Sequence, residues 1–229
     1  MLLSLTCRPC WLLAVVLPYA ASSAQTTPAR VSENDAPRWE ASSALLAASF
    51  VFDERLRTVA LANHTRALDH LAAGADIIGT AGHVVPGLIA TYVVSRVLGQ
   101  RSFAAATLRV GMSYAAADAL EALLKPAVGR TRPYAGREPL TFRPFSSNDD
   151  FHSFPSAHEV HIASLASAIA IEVDRPWATA LAGAAMTYVG VQRVYRDQHW
   201  SSDVVASGML GVGVARATMS WLHRHDGSR

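Results

Sequence analysis

Cysteine is scarce in this sequence. The chain of 229 residues has two, Cys7 and Cys10, and both lie in the segment 1–24. A mature chain without that segment would have no thiol, which excludes disulfides, thiolate nucleophiles and zinc sites with cysteine ligands.

The segment 1–24 has the pattern of a secretory signal peptide. Arg8 supplies a positive charge, residues 11–17 an apolar stretch and residues 22–24 a small-residue cleavage site. An uncleaved membrane anchor is the alternative, and both interpretations place the rest of the chain outside the cytoplasm. Residues 25–40 are polar, contain two prolines and are predicted to form a linker.

Charge is also sparse, and lysine almost absent. Charged residues make up 17% of the chain, and the net charge of +2 is too small to indicate a nucleic-acid partner. Of the 20 basic residues, Lys125 is the only lysine. Lysine presents a compact point charge where arginine presents a planar fork, so a lone lysine in an arginine-rich chain indicates a position that needs such a charge.

Strand-like alternation is rare, whereas alanine and leucine are abundant from Trp39 onward. This composition predicts an all-α fold, a compact helical bundle of about six to seven helices over residues 41–222, followed by a polar tail at 223–229. The predicted helices lie near 41–52, 55–72, 76–98, 102–125, 157–173, 176–192 and 201–222.

Uninterrupted membrane spans are not evident. The stretch 77–95 is long enough to cross a bilayer, but it contains His83 and Pro86. The helix predicted at 102–125 carries charges that are costly in lipid unless they face inward. We therefore expect a soluble or peripheral bundle with possible membrane contact, and a membrane-embedded bundle is the alternative. The oligomeric state stays open.

Two short motifs in the second half combine turns with polar groups. In KPAVGRTRP, Lys125 is expected to end a helix before Pro126, and Arg132 lies seven residues later, so both cations can converge on one anion. Arg130 lies outside this pair, and we expect Arg130→Lys to change little. In FPSAH, Ser156 is a predicted N-cap, and the free N–H groups of the helix that follows favour an anion.

A third motif, RVYRDQHWSSD, places a histidine beside a carboxylate. His199 and Asp203 are four residues apart, so on a helix they share one face. A carboxylate bonded to one imidazole nitrogen fixes the tautomer and frees the other nitrogen to attack. A metal site is not expected, because no third ligand recurs at helical spacing. The irregular stretch 134–154 joins the first two motifs and is predicted to form a wall of the site entrance.

Together the three motifs resemble the superfamily of type 2 phosphatidic acid phosphatases, bacterial non-specific acid phosphatases and vanadium haloperoxidases. The resemblance covers roughly residues 118–222. It implies a helical bundle whose active site lies at one end. The matching residues are Lys125, Arg132 and Pro133; Pro155, Ser156 and His158; and Arg193, His199 and Asp203.

The resemblance also implies how a phosphoryl group is bound. Lys125, Arg132 and Arg193 would hold its oxygens, with the hydroxyl of Ser156 and the backbone N–H of Ala157. The expected substrate is a phosphorylated small molecule or lipid, namely a lipid phosphate, an isoprenoid diphosphate or a soluble ester. No cofactor is expected.

The implied chemistry passes through a phosphohistidine. His199 would be the nucleophile, Asp203 its orienting group, and His158 the acid that protonates the leaving oxygen and then the base that activates water. Two residues depart from the family pattern: Ala157 stands for glycine and Gln192 for serine. Vanadate-dependent halide oxidation and non-catalytic binding of phosphate or lipid are the alternative functions.

Overall fold

The computed structural model describes residues 36–226. The predicted signal peptide at 1–24 and most of the predicted linker lie outside the described residues. Within them the chain is all-α, as predicted, and the one β-type pairing is an isolated bridge between Arg130 and Phe142. The seven α-helices are α1 Ala36–Ala62, α2 Arg66–Gly79, α3 Ala81–Val97, α4 Arg101–Val128, α5 Ala157–Val173, α6 Pro176–Tyr195 and α7 Ser201–Asp226.

The first helix differs from its prediction. It is already helical at Ala36, the first described residue, which lies inside the segment predicted as a linker, and it continues through Asp53, where the predicted helices were separate. The chain turns instead at Asn63–Thr65, because Thr65 caps the next helix with its hydroxyl, which accepts the N–H of Leu68 at 3.3 Å. At the other end of the chain, α7 extends into the predicted tail as far as Asp226.

Helix α5 lies at the centre and packs against α2, α4, α6 and α7. Small residues let the helices approach closely: a Cβ added to Gly211 of α7 would lie 2.6 Å from the Val160 carbonyl oxygen of α5. The hydroxyls of Ser113 in α4 and Ser164 in α5 are likewise 3.0 Å apart and buried. This close packing holds the first turn of α5 in a fixed place.

Helices α2 and α3 meet at Thr80 with a bend of 52°. Helix α3 is apolar but has one buried residue, Ser95, and its valines and isoleucine are largely exposed. In the described part of the chain, no helix by itself has the length and apolar composition of a membrane span, whereas the bent α2–α3 pair taken together does. The bend itself lies against α5.

The ends of four helices bring the three motifs together. The C-terminal ends of α4 and α6 and the N-terminal ends of α5 and α7 carry them, and consecutive helices of this set pack on one another in opposite directions. The resulting site lies at one end of the bundle.

Candidate active site

The first motif forms a helix end and a tight turn. Helix α4 does not end at Lys125, as expected from Pro126, but continues to Val128. A proline this close to the end removes one hydrogen bond only, and the N–H of Gly129 closes the last turn on the Lys125 carbonyl at 3.1 Å. Gly129 has φ 60°, and a Cβ there would lie 2.1 Å from the Arg143 oxygen, so the turn requires glycine.

Lys125 and Arg132 of this motif each have an acidic partner. The Lys125 ammonium contacts the Glu121 carboxylate one turn earlier on α4. Arg132 donates to the Gln198 side-chain oxygen at 2.9 Å and to the carbonyl of Asp149 at 3.1 Å. Its bond to the Asp149 carboxylate is long, 3.3 Å, and that carboxylate is 71% exposed. The guanidinium is therefore held in place without being neutralised by a buried charge.

The second motif begins α5. Ser156 occupies the N-cap position, but its hydroxyl does not cap the helix. The hydroxyl oxygen is buried and has no hydrogen-bond partner among the described residues. Ala157 is the first helical residue, so the helix accommodates it in place of glycine without a left-handed backbone. The N–H groups of this first turn have no acceptor within the helix, and together with the Ser156 hydroxyl they are available as donors to an anion.

His158 packs against the bend between α2 and α3. Its Nε2 lies 3.3 Å from the Thr80 hydroxyl, and a Cβ at Gly79 would come within 2.7 Å of the imidazole. Burial lowers the pKa of His158 to about 4, and the charge of Arg193 acts in the same direction. At pH 7 this imidazole is therefore neutral.

His199 is buried between the cations and the loop that follows the first motif. Its Nδ1 lies 2.6 Å from the Ser153 carbonyl oxygen. A carbonyl only accepts, so Nδ1 carries the proton and Nε2 has a free lone pair. Burial lowers the pKa of His199 well below its ordinary value, and the charges of Arg132, Lys125 and Arg193 lower it further. All three cations therefore act on this imidazole.

Asp203 does not contact His199 directly, which differs from the expected pair. Helix α7 begins at Ser201, so His199 precedes it and the four-residue helical spacing does not apply. Asp203 instead accepts the Ser153 hydroxyl at 2.5 Å and the Trp200 N–H at 3.0 Å. It thus reaches His199 through Ser153, whose carbonyl holds the imidazole.

Arg193 lies at the end of α6 and faces α2. It donates to the Asp76 carboxylate at 2.6 Å and to the Gln192 side-chain oxygen at 2.6 Å. Gln192, the departure from serine, also donates to Asp76 at 2.9 Å. The substitution therefore adds a bridge between the arginine and a carboxylate that is 45% exposed. Neither Asp76 nor Ser153 was identified from the sequence, because neither belongs to a motif.

One group of side chains near the site has the donors of a metal site. Ligand atoms of Asp118, Glu121 and His161 all lie within 4.8 Å of one another. In this structure His161 is 2.8 Å from Asp118, and Glu121 contacts Lys125. The group has two carboxylates and one imidazole, which suits a divalent cation. The charge pairs already present satisfy the same three side chains.

Comparison with known proteins agrees with this arrangement. A family profile described as the PAP2 superfamily matches residues 106–226, which contain all three motifs and four of the helices in part or whole. The chain belongs to the PAP2 superfamily.

A solved structure extends the similarity to nearly the whole bundle. It is described as the first transmembrane PAP2-type phosphatidylglycerolphosphate phosphatase from Bacillus subtilis, and it matches with a TM-score of 0.61 at 18% identity. The match covers 95% of this chain and 96% of the other. At this identity it shows that the PAP2 fold includes α1, α2 and α3, which the family profile does not reach. The comparison with curated proteins gives no match.

Proposed function

We propose that this member of the PAP2 superfamily is a phosphatase that transfers a phosphoryl group to Nε2 of His199 and then to water. The observation that carries the proposal is the state of His199. Its Nδ1 proton is bound by the Ser153 carbonyl, and burial together with three cations lowers the pKa of the imidazole and keeps it neutral. A neutral imidazole with a free Nε2 beside three cations is the arrangement that nucleophilic attack on a phosphate ester requires.

The phosphoryl oxygens have a matching set of donors. Lys125, Arg132 and Arg193 supply the charge, and the free hydroxyl of Ser156 and the N–H of Ala157 supply hydrogen bonds at the start of α5. Preorganised donors aimed at charge that grows in the transition state are usually the largest catalytic contribution. With the phosphoryl oxygens bound by these donors, His199 would lie on one side of the phosphorus as the nucleophile and His158 on the other side as the acid.

The first step forms the bond between His199 Nε2 and phosphorus and breaks the bond to the leaving oxygen, which takes a proton from His158. In the second step His158 accepts a proton from water, the water oxygen bonds to phosphorus, and the bond to Nε2 breaks. His158 must be protonated for the first step although its pKa in the empty site is about 4. A phosphate dianion beside Arg193 neutralises the charge that opposes protonation, and so raises this pKa.

The opposite protonation states that the two histidines need predict a bell-shaped dependence of activity on pH, with its maximum at acid to neutral pH. His199 must be neutral to attack while His158 must be protonated to donate. The dependence of kcat on pH between 3 and 10 tests the two roles, because kcat reports the pKa values of the substrate complex. A rate that rises steadily to pH 10 contradicts them.

Lipid phosphates are the substrate class that the exposed surface favours. Helix α3 presents Val85, Ile89 and Val93, which are 40%, 59% and 50% exposed, next to the bend that touches His158. Apolar side chains in a continuous exposed face favour contact with a membrane. We therefore propose an extracytoplasmic enzyme whose site faces a membrane surface, and sedimentation with phospholipid vesicles tests this contact.

The phosphohistidine itself is the decisive observable. The enzyme is mixed with a ³²P-labelled aryl or lipid phosphate, quenched in alkali and digested, and the label is located by mass spectrometry. We expect label on His199 and none in His199→Gln, with turnover lower by at least about 10⁴-fold. The matched control is His223→Gln, an exposed histidine of α7 that pairs with Glu172. Unlabelled but active enzyme overturns the mechanism, and halide oxidation with added vanadate and peroxide would favour the haloperoxidase alternative.

A further inference from the structure

Behind His199, on the side away from the anion site, lies a buried group of three charges. Arg130 donates through Nη2 to the Asp53 carboxylate at 2.8 Å and through Nη1 to the Asp203 carboxylate at 2.6 Å. The three side chains are 1%, 1% and 0% exposed. One guanidinium thus joins α1 to α7 at a depth where a phosphate cannot compete for it.

Asp53 also organises the first turn of α7. Its carboxylate accepts the Ser201 hydroxyl at 2.7 Å, the Ser202 N–H at 2.8 Å and the Ser202 hydroxyl at 2.6 Å. A carboxylate at this position satisfies free N–H groups and interacts favourably with the positive end of the helix. The cap comes from α1, which lies outside the 106–226 region matched by the family profile.

The network continues from Arg130 to the imidazole by two routes. Through its guanidinium, Arg130 holds Asp203, which accepts the hydroxyl of Ser153 at 2.5 Å. Through its own backbone carbonyl, Arg130 accepts the N–H of Ser153 at 3.0 Å. Ser153 is therefore held on both sides, and its carbonyl is the group that receives the Nδ1 proton of His199.

We infer that Arg130 and Asp53 are positioning residues for His199, and that they act through Asp203 and Ser153. The inference rests on the proposed role of His199 as nucleophile. Arg130 makes four side-chain bonds in different directions, adding the Pro139 carbonyl at 2.8 Å and the Ser202 hydroxyl at 2.7 Å. Lysine has no planar fork and cannot make the same set, so Arg130→Lys is not the neutral change that its position outside the motif indicated.

The kinetic test compares Arg130→Lys and Asp53→Asn with the wild-type chain. A misplacement of about 1 Å can cost on the order of 100-fold in rate. We expect kcat to fall by at least about tenfold in both variants with KM nearly unchanged, because the anion-binding cations are left in place. Arg57→Lys is the matched control: Arg57 also joins α1 to the chain before α7, through Asp197 at 2.7 Å, but it does not touch Asp203. It should keep wild-type kcat.

A second readout does not depend on turnover. In protein labelled with ¹⁵N-histidine, the nitrogen chemical shifts of His199 report which ring nitrogen carries the proton. We expect the Nδ1–H tautomer in the wild type and in Arg57→Lys, and a mixture in Arg130→Lys and Asp53→Asn. If Arg130→Lys does not fold, Ser153→Ala carries the same test, since it removes the hydroxyl that Asp203 holds and keeps the carbonyl.

The two readouts separate the failure of this inference from the failure of the proposed function. Wild-type kcat together with an unchanged tautomer in the folded variants overturns the positioning role. A wild-type chain without phosphatase activity, whose His199 tautomer still changes in the variants, overturns the proposed function and supports the positioning role.

Discussion

Arg130 and Arg132 lie two residues apart in one motif, yet they occupy opposite environments. The carboxylate partner of Arg132 is Asp149, 71% exposed and 3.3 Å away. The partners of Arg130 are Asp53 and Asp203, which are 1% and 0% exposed. A pair with an exposed carboxylate contributes little to stability and can give way to a phosphate. Breaking a buried pair leaves an uncompensated charge. Burial of the partner, not residue type, therefore separates the arginine proposed to bind phosphate from the arginine proposed to position His199.

Among changes to the cations proposed to bind phosphate, we expect Arg132→Ala to lower the activity most. Loss of one donor to a transition-state anion costs about 10²–10³ in rate, and we expect kcat/KM to fall by that factor while the melting temperature changes little. Steady-state kinetics with an aryl phosphate measures it.

The control for this change is the exposed partner itself. Asp149→Asn removes the charge opposite Arg132 but leaves the cation, and kcat/KM should stay within about threefold of wild type. A large loss in Asp149→Asn with a small one in Arg132→Ala would reverse the assignment of the two arginines.

A smaller loss is expected for Lys125→Arg. If the ammonium touches a phosphoryl oxygen, the larger planar guanidinium displaces either the phosphate or Arg132. We expect kcat/KM to fall by at least about tenfold, or about 1.4 kcal/mol of transition-state stabilisation, with the fold intact. The matched control is Arg137→Lys, an exposed residue of the loop that pairs with Asp150. Equal, near-wild-type rates in both variants would mean that Lys125 is a helix-end charge only.

A still smaller effect concerns stability at acid pH. The folded-state pKa of His158 is about 4 against an ordinary value of 6.5, so the native chain binds fewer protons than the unfolded chain between these values. This contribution to the free energy of unfolding is present above pH 6.5 and is lost as the pH falls toward 4. The variant His158→Gln lacks this contribution. Its melting temperature should therefore fall less than that of the wild type when the pH is lowered from neutral to acid, and the difference should be about 2–4 °C.

Calorimetry at several pH values measures this difference, with His223→Gln as the control. His223 is an exposed histidine on α7, and its replacement should leave the pH dependence of the melting temperature unchanged. Parallel curves for wild type and His158→Gln would contradict the lowered pKa.

Removal of divalent metal ions by a chelator is expected to change the activity least. Three cations neutralise the phosphate in the proposed mechanism, so phosphatase activity should survive excess EDTA. The group of Asp118, Glu121 and His161 makes this measurement informative, since Glu121 contacts Lys125, which is proposed to bind phosphate. Complete loss of activity that only a divalent metal restores would contradict a cage built from side-chain cations alone.

Local signals predicted the helices of the second half, and the resemblance to a known superfamily implied that the three motifs meet at one end of the bundle. Pro155 and Ser156 mark the start of α5, whereas α4 continues past Pro126, where its end was expected. The boundary of α1 was missed, since Asp53 has the appearance of a helix break but lies in a helix interior, where Arg130 and the start of α7 satisfy its charge.

The contacts proposed to position His199 could not be predicted either, and the reason is different. Ser153 contacts His199 through its backbone carbonyl, a group that every residue type has, so the residue type does not indicate this contact. Asp53 lies 77 positions before Arg130, and no local pattern joins residues so far apart. The predicted contact between His199 and Asp203 assumed a helix over both residues, whereas the helix begins between them.

The single lysine also makes this site chemically addressable. Lys125 carries the one ε-amino group of the entire chain, and its side chain is 20% exposed at the end of α4. An amine-directed acylating reagent therefore has one internal target, which lies where substrate would bind. A bound phosphate or vanadate should shield that amine, so the extent of acylation reports occupancy of the site by mass alone, without any turnover or added label.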